Sequence, residues 1–210
     1  MTRIAVYDTT LRDGMQGQGM SLSVEEKVRV AHVLDDLGIP FIEAGFPASN
    51  PKEAELFDRL AHEGLRADVC AFGMTRRRDS RADEDPALRA LADSFAPVCT
   101  LVGKTWGLHL EKVVKVGRDE NLAMIADSVS FLVAQGKRVI YDAEHFFDGW
   151  RDDPAYALEC LRAAAGGGAE NLTLCDTNGA SLPADVAAAV RDVVAALDTP
   201  IGIHCHNDAE

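Results

Sequence analysis

The stretch that decides the fold is YDTTLRDG, at residues 7–14, directly after the first apolar run of the chain. A doubly wound nucleotide-binding sheet usually carries a glycine-rich phosphate turn after its first strand. Here a single glycine, Gly14, closes a turn that is otherwise polar and carries both acidic and basic side chains. The stretch therefore argues against a dinucleotide-binding sheet and directs attention to other parallel α/β architectures.

Short apolar runs recur along the chain at the spacing of a strand, a helix and two loops, about 30 to 40 residues. The predicted strands are Ile4 to Tyr7, Phe41 to Ala44, Val69 to Phe72, Pro97 to Val102, Arg138 to Tyr141, Leu172 to Leu174 and Ile201 to His204. The predicted helices run from Ser23 to Gly38, Asn50 to Gly64, Pro86 to Ala92, Asp119 to Ala134, Pro154 to Ala165, and onward from Ser181. This alternation predicts a parallel sheet.

Seven such strands predict an α/β fold of the TIM (β/α)8 barrel type, present through its seventh strand. A complete barrel takes about 250 residues, whereas this sequence has 210 and ends directly after the seventh predicted strand. We therefore expect residues 1–210 to form the N-terminal part of a single catalytic barrel. Strand 8 and C-terminal regulatory or dimerisation regions are expected to lie outside the sequence.

Composition predicts a soluble, cytoplasmic globular domain. Hydrophobic residues make up 47% of the sequence, enough for a substantial core. A formal net charge of -13 argues against nucleic acid or an anionic membrane as the main partner. No apolar window approaches the roughly 18 residues that suggest a membrane span, and no signal segment precedes the first strand. The five cysteines form no Cys-x-x-Cys pair and are expected to be reduced.

A candidate metal site lies at the ends of the first and last predicted strands. His204 and His206 are two residues apart, so in a strand both imidazoles point to the same side. Asp13 offers a carboxylate at the end of the first strand. One carboxylate and two imidazoles suit Mg²⁺, Mn²⁺, Fe²⁺, Co²⁺ or Zn²⁺ with positions left open for a substrate. Two structural histidines are the alternative, and Asp13 favours the metal.

Other polar residues follow the remaining strands and would face the same mouth. Arg12 would hold a substrate carboxylate or stabilise an enolate oxygen, or else form an ion pair with Glu43 or Glu144. Glu144 would act as a hydrogen-bond partner or in proton transfer, and Thr177 offers a hydroxyl. The full set predicted to share one cavity is Arg12, Asp13, Glu43, Lys104, Glu144, Asp176, Thr177, His204 and His206.

Two further groups of residues have alternative interpretations. Arg76, Arg77, Arg78 and Arg81 follow the third strand and are at once followed by acidic residues. A solvated charged loop is the favoured interpretation, and capture of a ligand phosphate is the alternative. The second group, Trp106, His109 and Trp150, would line the mouth or pack a loop.

Four motifs in order resemble the metal-dependent DRE-TIM metallolyases: DTTLRDGMQ at 8–16, EAGFP at 43–47, DTNG at 176–179 and HCHND at 204–208. This family includes isopropylmalate, homocitrate and citramalate synthases and hydroxymethylglutaryl-CoA lyase. The segments SNPK at 49–52, KTW at 104–106 and DAEHFFDG at 142–149 are most similar to the citramalate synthase branch. The resemblance runs over the whole chain.

The resemblance implies that Asp13, His204 and His206 bind a divalent metal, Mg²⁺ or Mn²⁺ first, with Zn²⁺ or Co²⁺ as alternatives. It implies that Arg12 polarises a 2-keto acid and stabilises the enolate, while Glu144 and Thr177 contact the keto acid. We also expect Glu43 to be a substrate-binding residue. The implied reaction condenses acetyl-CoA with pyruvate to give citramalate, in branched-chain amino-acid biosynthesis.

The resemblance also places a fourth metal ligand, an asparagine on strand 8, beyond Glu210. We expect the isolated chain to be inactive and the full-length protein to be a homodimer. Gln18 stands where citramalate-like sequences tend to carry an acidic residue, and Phe46-Pro47 resembles the isopropylmalate and homocitrate side. The keto acid therefore stays open between these branches.

Other functions remain as alternatives. A carbon-carbon lyase on the same scaffold would run cleavage in place of condensation, and a metal-binding fragment would have no turnover. An Fe²⁺ oxygenase or a hydrolase could use the same ligands, but neither accounts for an arginine beside the carboxylate.

Overall fold

The computed structural model describes residues 4–207 of the chain. The strands are β1 (Tyr7–Asp8), β2 (Phe41–Gly45), β3 (Asp68–Met74), β4 (Val98–Lys104), β5 (Arg138–Glu144), β6 (Asn171–Asp176) and β7 (Ile201–Cys205). The helices are α1 (Val24–Asp36), α2 (Pro51–Leu60), α3 (Pro86–Asp93), α4 (Gly107–His109), α5 (Arg118–Ala134), α6 (Phe146–Asp152), α7 (Pro154–Gly167) and α8 (Pro183–Ala196). Asp208, the last residue of the HCHND motif, lies outside the described residues.

The strands form one parallel sheet in the order β1-β2-β3-β4-β5-β6-β7. Each neighbouring pair is connected through a helical segment, which is the right arrangement for consecutive units of a barrel. The longest register runs between β4 and β5 and ends with Lys104 opposite Glu144. This sheet confirms the predicted fold class, a TIM (β/α)8 barrel represented through its seventh strand.

Side chains alternate between two environments along the strands. Ile42, Leu101 and Tyr141 are fully buried in the large core between the sheet and the helices. The alternate residues of the strands point to the barrel interior. Among these, Cys70 and Val98 belong to a much smaller apolar cluster. Because successive side chains of a strand face opposite sides, the same alternation directs the polar residues of the mouth inward.

The first strand is shorter than predicted. The apolar run Ile4 to Tyr7 was expected to be the strand, but only Tyr7 and Asp8 pair with β2. Ile4 and Val6 are exposed. Pairing with β2 begins only at Tyr7, opposite Phe41. The apolar residues before Tyr7 therefore suggested a longer strand than the hydrogen-bonded pairing with β2 allows.

Two helical segments were missed by the sequence analysis. The first comprises α4 and a π-helical turn, Leu110–Val114, and the second is α6. Both are short and begin close to a strand end, at Gly107 after Lys104 and at Phe146 after Glu144, so neither shows a helical period of apolar residues. In α6 the adjacent Phe146 and Phe147 are both buried, so the buried residues do not form a single apolar stripe along the helix.

Most helix starts agree with the sequence. Ser23, where the first helix was predicted to begin, forms a capping box with Glu26, and Asn50 caps α2 through its side chain. The last helix differs, because α8 begins after Leu182 with no side-chain cap. Ser181 instead donates its backbone N–H to Oδ2 of Asp176 at 2.9 Å. Among the described helices, none combines the length and hydropathy needed to cross a bilayer.

Candidate functional site

Asp13, His204 and His206 converge at one point of the strand-end mouth. Oδ2 of Asp13 lies 3.6 Å from Nε2 of His204 and 3.6 Å from Nε2 of His206. The two imidazole rings are stacked with their centroids 5.1 Å apart. His204 ends the inward-facing row of β7, and His206 follows the strand, where its N–H donates to the carbonyl of Asp176. The strand period thus delivers both rings to Asp13.

This donor set fits a divalent cation. The three potential ligand atoms all lie within 4.8 Å of one another. Separations of 3.6 Å are too long for hydrogen bonds. They are close to the roughly 3 to 3.5 Å expected between two ligand atoms that are each about 2.1 Å from one ion. Burial lowers the pKa of His204, which favours the neutral imidazole that binds metals.

Arg12 is fixed beside the metal-ligand candidates by a buried carboxylate. Its Nε donates to Oε2 of Glu43 at 2.5 Å, and its Nη1 donates to Oδ1 of Asp13 at 2.8 Å. The guanidinium also lies 4.1 Å above the ring of Phe72. Within residues 4–207, Nη2 of Arg12 has no hydrogen-bond partner, so one edge of the guanidinium is available to a ligand.

Glu43 is fully buried and both of its carboxylate oxygens are occupied. Oε2 accepts from Arg12, while Oε1 accepts from the hydroxyl of Tyr7 at 2.9 Å, and that hydroxyl is 2.5 Å from Oγ1 of Thr100. Burial raises the pKa of Glu43, and the opposing charge of Arg12 limits this rise. The ion pair that the sequence analysis gave as one alternative for Arg12 is therefore present.

Lys104 and Glu144 form the second charged pair of the mouth. They are paired in register at the ends of β4 and β5, and Nζ of Lys104 donates to Oε2 of Glu144. The backbone carbonyl of Glu144 accepts from Oγ1 of Thr105 at 2.5 Å, which holds the strand end. Oε1 of Glu144 has no protein partner in the described part of the chain, and the side chain is 25% exposed. This carboxylate is accessible to a ligand.

Thr177 is tied to a network that the sequence analysis did not identify. Its Oγ1 accepts the backbone N–H of His145 at 2.9 Å. His145 adopts a left-handed backbone conformation at φ 52°, and its Nδ1 is 3.1 Å from Oδ2 of Asp148. Asn178 donates to the same oxygen at 2.9 Å. His145 and Asp148 both belong to the motif DAEHFFDG at 142–149. That motif is the sequence signal for this network, although it was interpreted above only as a mark of one branch of the family.

An aromatic cluster adjoins this network. His109 and His145 pack edge to face with centroids 4.3 Å apart, and Trp106 lies within 6 Å of both. Nδ1 of His109 is buried without a partner among the described residues, and burial lowers the pKa of this histidine. Trp150 instead stacks on Phe146 within α6. Of these aromatic residues, Trp106 and His109 lie beside the mouth.

A deeper layer of polar residues lies below the histidines. Asp142, Cys175 and His204 also bring potential ligand atoms within 4.8 Å of one another. Burial, followed by the charge of Glu43, raises the pKa of Asp142 to about 8. Because burial also raises the pKa of the Cys175 thiol, this group offers weaker ligands than Asp13 and the two imidazoles.

Asp176 lies at the edge of the site. Its side chain is buried, Oδ2 accepts from Ser181, and Oδ1 has no protein partner among residues 4–207. Its contact with the backbone of Ser181 shapes the turn after β6. All five cysteines are free, and Cys205 alone among them is exposed. The expectation of reduced cysteines agrees with this arrangement.

The expectation of a wholly solvated arginine loop is wrong for Arg76. This side chain is buried, with Nη1 2.8 Å from Oε1 of Glu120 and Nη2 2.9 Å from Oδ2 of Asp127. Two carboxylates of α5 therefore anchor the loop after β3. Arg81 fits the expectation, because it is exposed and pairs with Asp83 at 2.9 Å.

Comparisons with known proteins agree with this arrangement. The chain is 44% identical over its whole length to the (R)-citramalate synthase of Geobacter sulfurreducens, and covers 40% of that protein. It is 48% identical over 97% of its length to that of Streptomyces coelicolor, covering 38%. Homocitrate synthase AksA of Methanopyrus kandleri is 39% identical over 98% of this chain, which covers 49% of that protein. The chain thus spans about two fifths of the length of the first of these relatives.

A solved structure supports the fold. The crystal structure of the Bacillus subtilis HMG-CoA lyase matches 98% of this chain and 69% of its own, with a TM-score of 0.78 at 17% identity. The sequence profile of the HMGL-like family matches residues 3–210. On this match and the identities to the synthases, the chain belongs to the HMGL-like family of DRE-TIM metallolyases.

Proposed function

We propose that this chain carries the metal-binding part of an acyltransferase that condenses acetyl-CoA with a 2-keto acid, with pyruvate giving citramalate. The observation that carries the proposal is the convergence of His204 and His206 on Asp13, with Arg12 held against the same carboxylate. The choice of pyruvate is supported by the identities, which are 44–48% to (R)-citramalate synthases and 37% to a probable 2-isopropylmalate synthase.

Family membership implies a divalent metal, and Asp13, His204 and His206 are the residues that would hold it. The cation would act as a Lewis acid that polarises the ketone of the 2-keto acid. Mg²⁺ or Mn²⁺ is proposed first, because an oxygen ligand and open positions suit these ions, with Zn²⁺ or Co²⁺ as alternatives.

Arg12 would bind and stabilise developing negative charge. Glu43 and Asp13 occupy Nε and Nη1, and this leaves Nη2 to donate to a keto-acid oxygen or to the enolate oxygen of the thioester. Since Glu43 fixes the guanidinium from a fully buried position, the donor is already oriented when a substrate arrives. For Glu43 itself we propose this orienting role ahead of direct substrate contact.

Glu144 would move the proton. Its free Oε1 can take a proton from the methyl group of the acetyl thioester, while Lys104 holds Oε2. The methyl carbon then forms a bond with the keto carbon, and the keto oxygen becomes a hydroxyl after it gains a proton. Hydrolysis of the thioester by water releases CoA as its thiol and leaves the dicarboxylate product.

Thr177 would orient the keto acid. Its hydroxyl oxygen already accepts from the backbone of His145, which directs the hydroxyl hydrogen away from that contact. That hydrogen can be donated to the substrate carboxylate. We further propose that the intact enzyme is a cytoplasmic homodimer, with a barrel completed beyond these residues.

The proposal is tested by acetyl-CoA-dependent thiol release in the intact protein. Pyruvate, 2-ketoisovalerate and 2-oxoglutarate are each supplied with Mg²⁺ or Mn²⁺, and pyruvate is expected to give the highest kcat/KM. Preference for another keto acid would replace citramalate by isopropylmalate or homocitrate. No release with any of them, together with formation of acetyl-CoA from a hydroxyacyl-CoA, would assign a lyase instead.

Calorimetry with Mn²⁺ tests the metal ligands separately from turnover. His204→Ala and Asp13→Asn are expected to weaken Mn²⁺ binding at least tenfold, because the first removes a donor nitrogen and the second replaces a charged carboxylate oxygen by a neutral amide oxygen. His62→Ala is the matched control, since His62 is exposed and lies in the turn after α2. Unchanged Mn²⁺ affinity in both site variants would contradict the ligand assignment.

A further inference from the structure

We propose that His145, oriented by Asp148, is the base that activates water when the thioester is hydrolysed after condensation. This role rests on the proposed function, because that reaction ends with the loss of CoA. Condensation employs Glu144, Arg12 and a metal, and none of these has been assigned to the attacking water. We call His145 and Asp148 the β5 dyad, because both residues follow β5 closely in the chain.

One nitrogen of the His145 ring is fixed by a carboxylate. Nδ1 of His145 lies 3.1 Å from Oδ2 of Asp148, and each of the two side chains is 12% exposed. A carboxylate oxygen accepts hydrogen bonds, so this contact selects the tautomer with the proton on Nδ1. Nε2 then carries the lone pair, which is the form of histidine that a general base requires.

Asp148 is itself held from two further sides. Its Oδ1 accepts from Nη2 of Arg151 at 2.7 Å, and its Oδ2 also accepts from Nδ2 of Asn178 at 2.9 Å. Arg151 belongs to α6, whereas Asn178 lies in the turn after β6. The carboxylate is therefore fixed between two elements of the barrel. In that position it can stabilise the imidazolium that forms when Nε2 takes a proton.

The second nitrogen of the His145 ring is open. Among residues 4–207, Nε2 of His145 has neither a hydrogen-bond partner nor a carboxylate within 4.0 Å. Nε2 is not one of the buried nitrogen atoms that lack a partner, so solvent reaches it, whereas Nδ1 of the neighbouring His109 is one of them. Of these two packed histidines, His145 therefore combines an orienting carboxylate with a nitrogen that water can reach.

The backbone of His145 connects the β5 dyad to two residues of the proposed reaction. His145 directly follows Glu144, and its N–H donates to Oγ1 of Thr177 at 2.9 Å. Its φ of 52° is uncommon outside glycine, and such conformations cluster at active sites. The end of β5 thus holds His145 between the carboxylate proposed for proton transfer and the hydroxyl proposed to orient the keto acid.

The chemistry of hydrolysis fits this position. In the condensed product, the thioester carbon is two bonds from the former keto carbon, so it lies near the groups that hold the keto acid. Nε2 of His145 takes one proton from water while the water oxygen forms a bond with the thioester carbon. The carbon–sulfur bond then breaks, and the sulfur of CoA receives the proton from the imidazolium. His145 returns to its neutral form, and water is the only reactant consumed.

The alternative is that His145 only packs the mouth. Its ring centroid lies 4.3 Å from that of His109 and 5.8 Å from that of Trp106. A packing role needs the shape of the ring but no basic nitrogen. An experiment that follows the two halves of the reaction separately therefore distinguishes a packing role from a catalytic one.

The test supplies the intact protein with the CoA thioester of the condensed hydroxy acid and measures free thiol and acetyl-CoA. The wild type is expected to release thiol. His145→Asn keeps a residue that tolerates left-handed backbone and can donate to Asp148, but it has no basic nitrogen. Thiol release should fall about 100-fold or more. In a single turnover with acetyl-CoA and pyruvate, condensation should stay within about threefold of wild type, so that the condensed thioester accumulates.

Two further variants test the base itself. Asp148→Asn should lower thiol release at least tenfold, because an amide can donate to Nδ1 and move the proton to Nε2. His145→Gly accepts the left-handed backbone, and added imidazole should raise its thiol release at least tenfold. A residue that only packs the mouth would give no rescue by imidazole.

His32→Asn is the matched control. Nε2 of His32 lies 2.9 Å from Oε2 of Glu63, but the His32 side chain is 44% exposed on α1. This substitution also breaks a histidine–carboxylate pair, and it should leave thiol release within about twofold of wild type.

The outcomes separate the β5 dyad from the proposed condensation. If no keto acid is condensed, but the supplied thioester is hydrolysed by the wild type and not by His145→Asn, the dyad stands and the condensation does not. If His145→Asn releases thiol at the wild-type rate, the dyad is wrong. Equal losses of condensation and hydrolysis, without rescue by imidazole, would also overturn it. Acetyl-CoA formed without any free thiol would overturn both proposals and assign a lyase.

Discussion

Nε of Arg12 donates to the carboxylate of Glu43 across 2.5 Å, and Glu43 is completely buried. The guanidinium that contacts Asp13 is therefore oriented from the barrel interior, by a residue that solvent does not reach. Tyr7 extends this support one layer further, because its hydroxyl donates to the other oxygen of Glu43 at 2.9 Å. The position of Asp13 thus depends on residues of β1 and β2 that do not contact the histidines.

The first prediction concerns this buried pair. Glu43→Gln removes the buried one of the two carboxylates that pair with Arg12, in a site where the side chains of Arg12 and Glu43 are 12% and 0% exposed. We expect the free energy of unfolding to fall by about 3 kcal/mol, as when one partner of a buried pair is removed. Urea denaturation followed by circular dichroism measures this change.

Glu25→Gln is the control for Glu43→Gln. Glu25 pairs with Arg59 at 3.2 Å, but the two side chains are about half exposed. Its loss should change the free energy of unfolding by less than about 0.5 kcal/mol, because exposed pairs contribute little. Equal effects of the two substitutions would contradict the structural role given to Glu43.

The second prediction concerns Glu144. Glu144→Gln keeps the shape of the side chain but removes its ability to accept a proton, so kcat should fall about 100-fold or more. Lys104→Met should lower kcat less, and the double variant should be no slower than Glu144→Gln alone, because both act through one carboxylate. Steady-state kinetics with saturating keto acid measures these effects, with Glu159→Gln on the exposed face of α7 as the control. If the losses of kcat in the two single variants added up in the double variant, Lys104 would act independently of Glu144.

Much of the site could be predicted because side chains alternate between the two faces of each strand. In β5, Glu144 lies inward because Tyr141 and Ala143 lie in the outer core, and period-two alternation decides the rest. His204 in β7 follows the same rule. The carboxyl ends of parallel strands meet at one edge, so Asp13 could be assigned to the same mouth from its place after β1.

Contacts made by loops could not be predicted in this way. The hydrogen bond from His145 to Thr177 depends on a left-handed residue directly after β5. Positive φ is uncommon at every residue type except glycine, and the modest enrichment of histidine there does not predict it at one given position. The burial of Arg76 depends on two carboxylates of α5, 44 and 51 positions away in sequence. Only the packing of α5 against the loop after β3 reveals that pairing.

The third prediction concerns Gly149, the residue of α6 that lies closest to the backbone of the segment after β4. A Cβ at this position would lie 2.6 Å from the carbonyl oxygen of Thr105 and 3.3 Å from Cα of Trp106. These are backbone atoms, so the clash is not relieved by a change of rotamer. Gly149→Ala should lower the free energy of unfolding by about 1 to 3 kcal/mol, as overpacking does, and disturb the aromatic cluster.

Gly166→Ala is the matched control for Gly149→Ala. Gly166 lies in α7, is exposed, and a Cβ there meets nothing within 4 Å. We expect an increase of about 0.5 kcal/mol in the free energy of unfolding, because alanine favours the helix and restricts the unfolded chain. Thermal and urea unfolding of the two variants should therefore move in opposite directions. A loss of stability at both positions would indicate a general intolerance of the helices.

The fourth prediction concerns the pH dependence of stability through Asp35, at the end of α1. Its Oδ1 accepts the backbone N–H groups of Ala67 and Arg66 at 2.7 and 2.8 Å, and its Oδ2 accepts from Nε of Arg66 at 3.0 Å. The hydrogen bond from Ala67, followed by those from Arg66, lowers the pKa of Asp35 below its ordinary value of 3.8. The charged form is therefore favoured in the folded state.

A lowered pKa contributes stability at pH values above the unfolded pKa, and this contribution is lost as the pH falls through the folded pKa. The difference in free energy of unfolding between wild type and Asp35→Asn should therefore be constant above about pH 5 and shrink towards about pH 3. Urea denaturation across this range measures it. Asp36→Asn is the control, since Asp36 is 86% exposed and 3.4 Å from Arg66, and it should show a small difference at every pH. A difference for Asp35→Asn that grows as the pH falls would contradict the assignment, because it would mean that the protonated carboxyl is the form bound by Ala67 and Arg66.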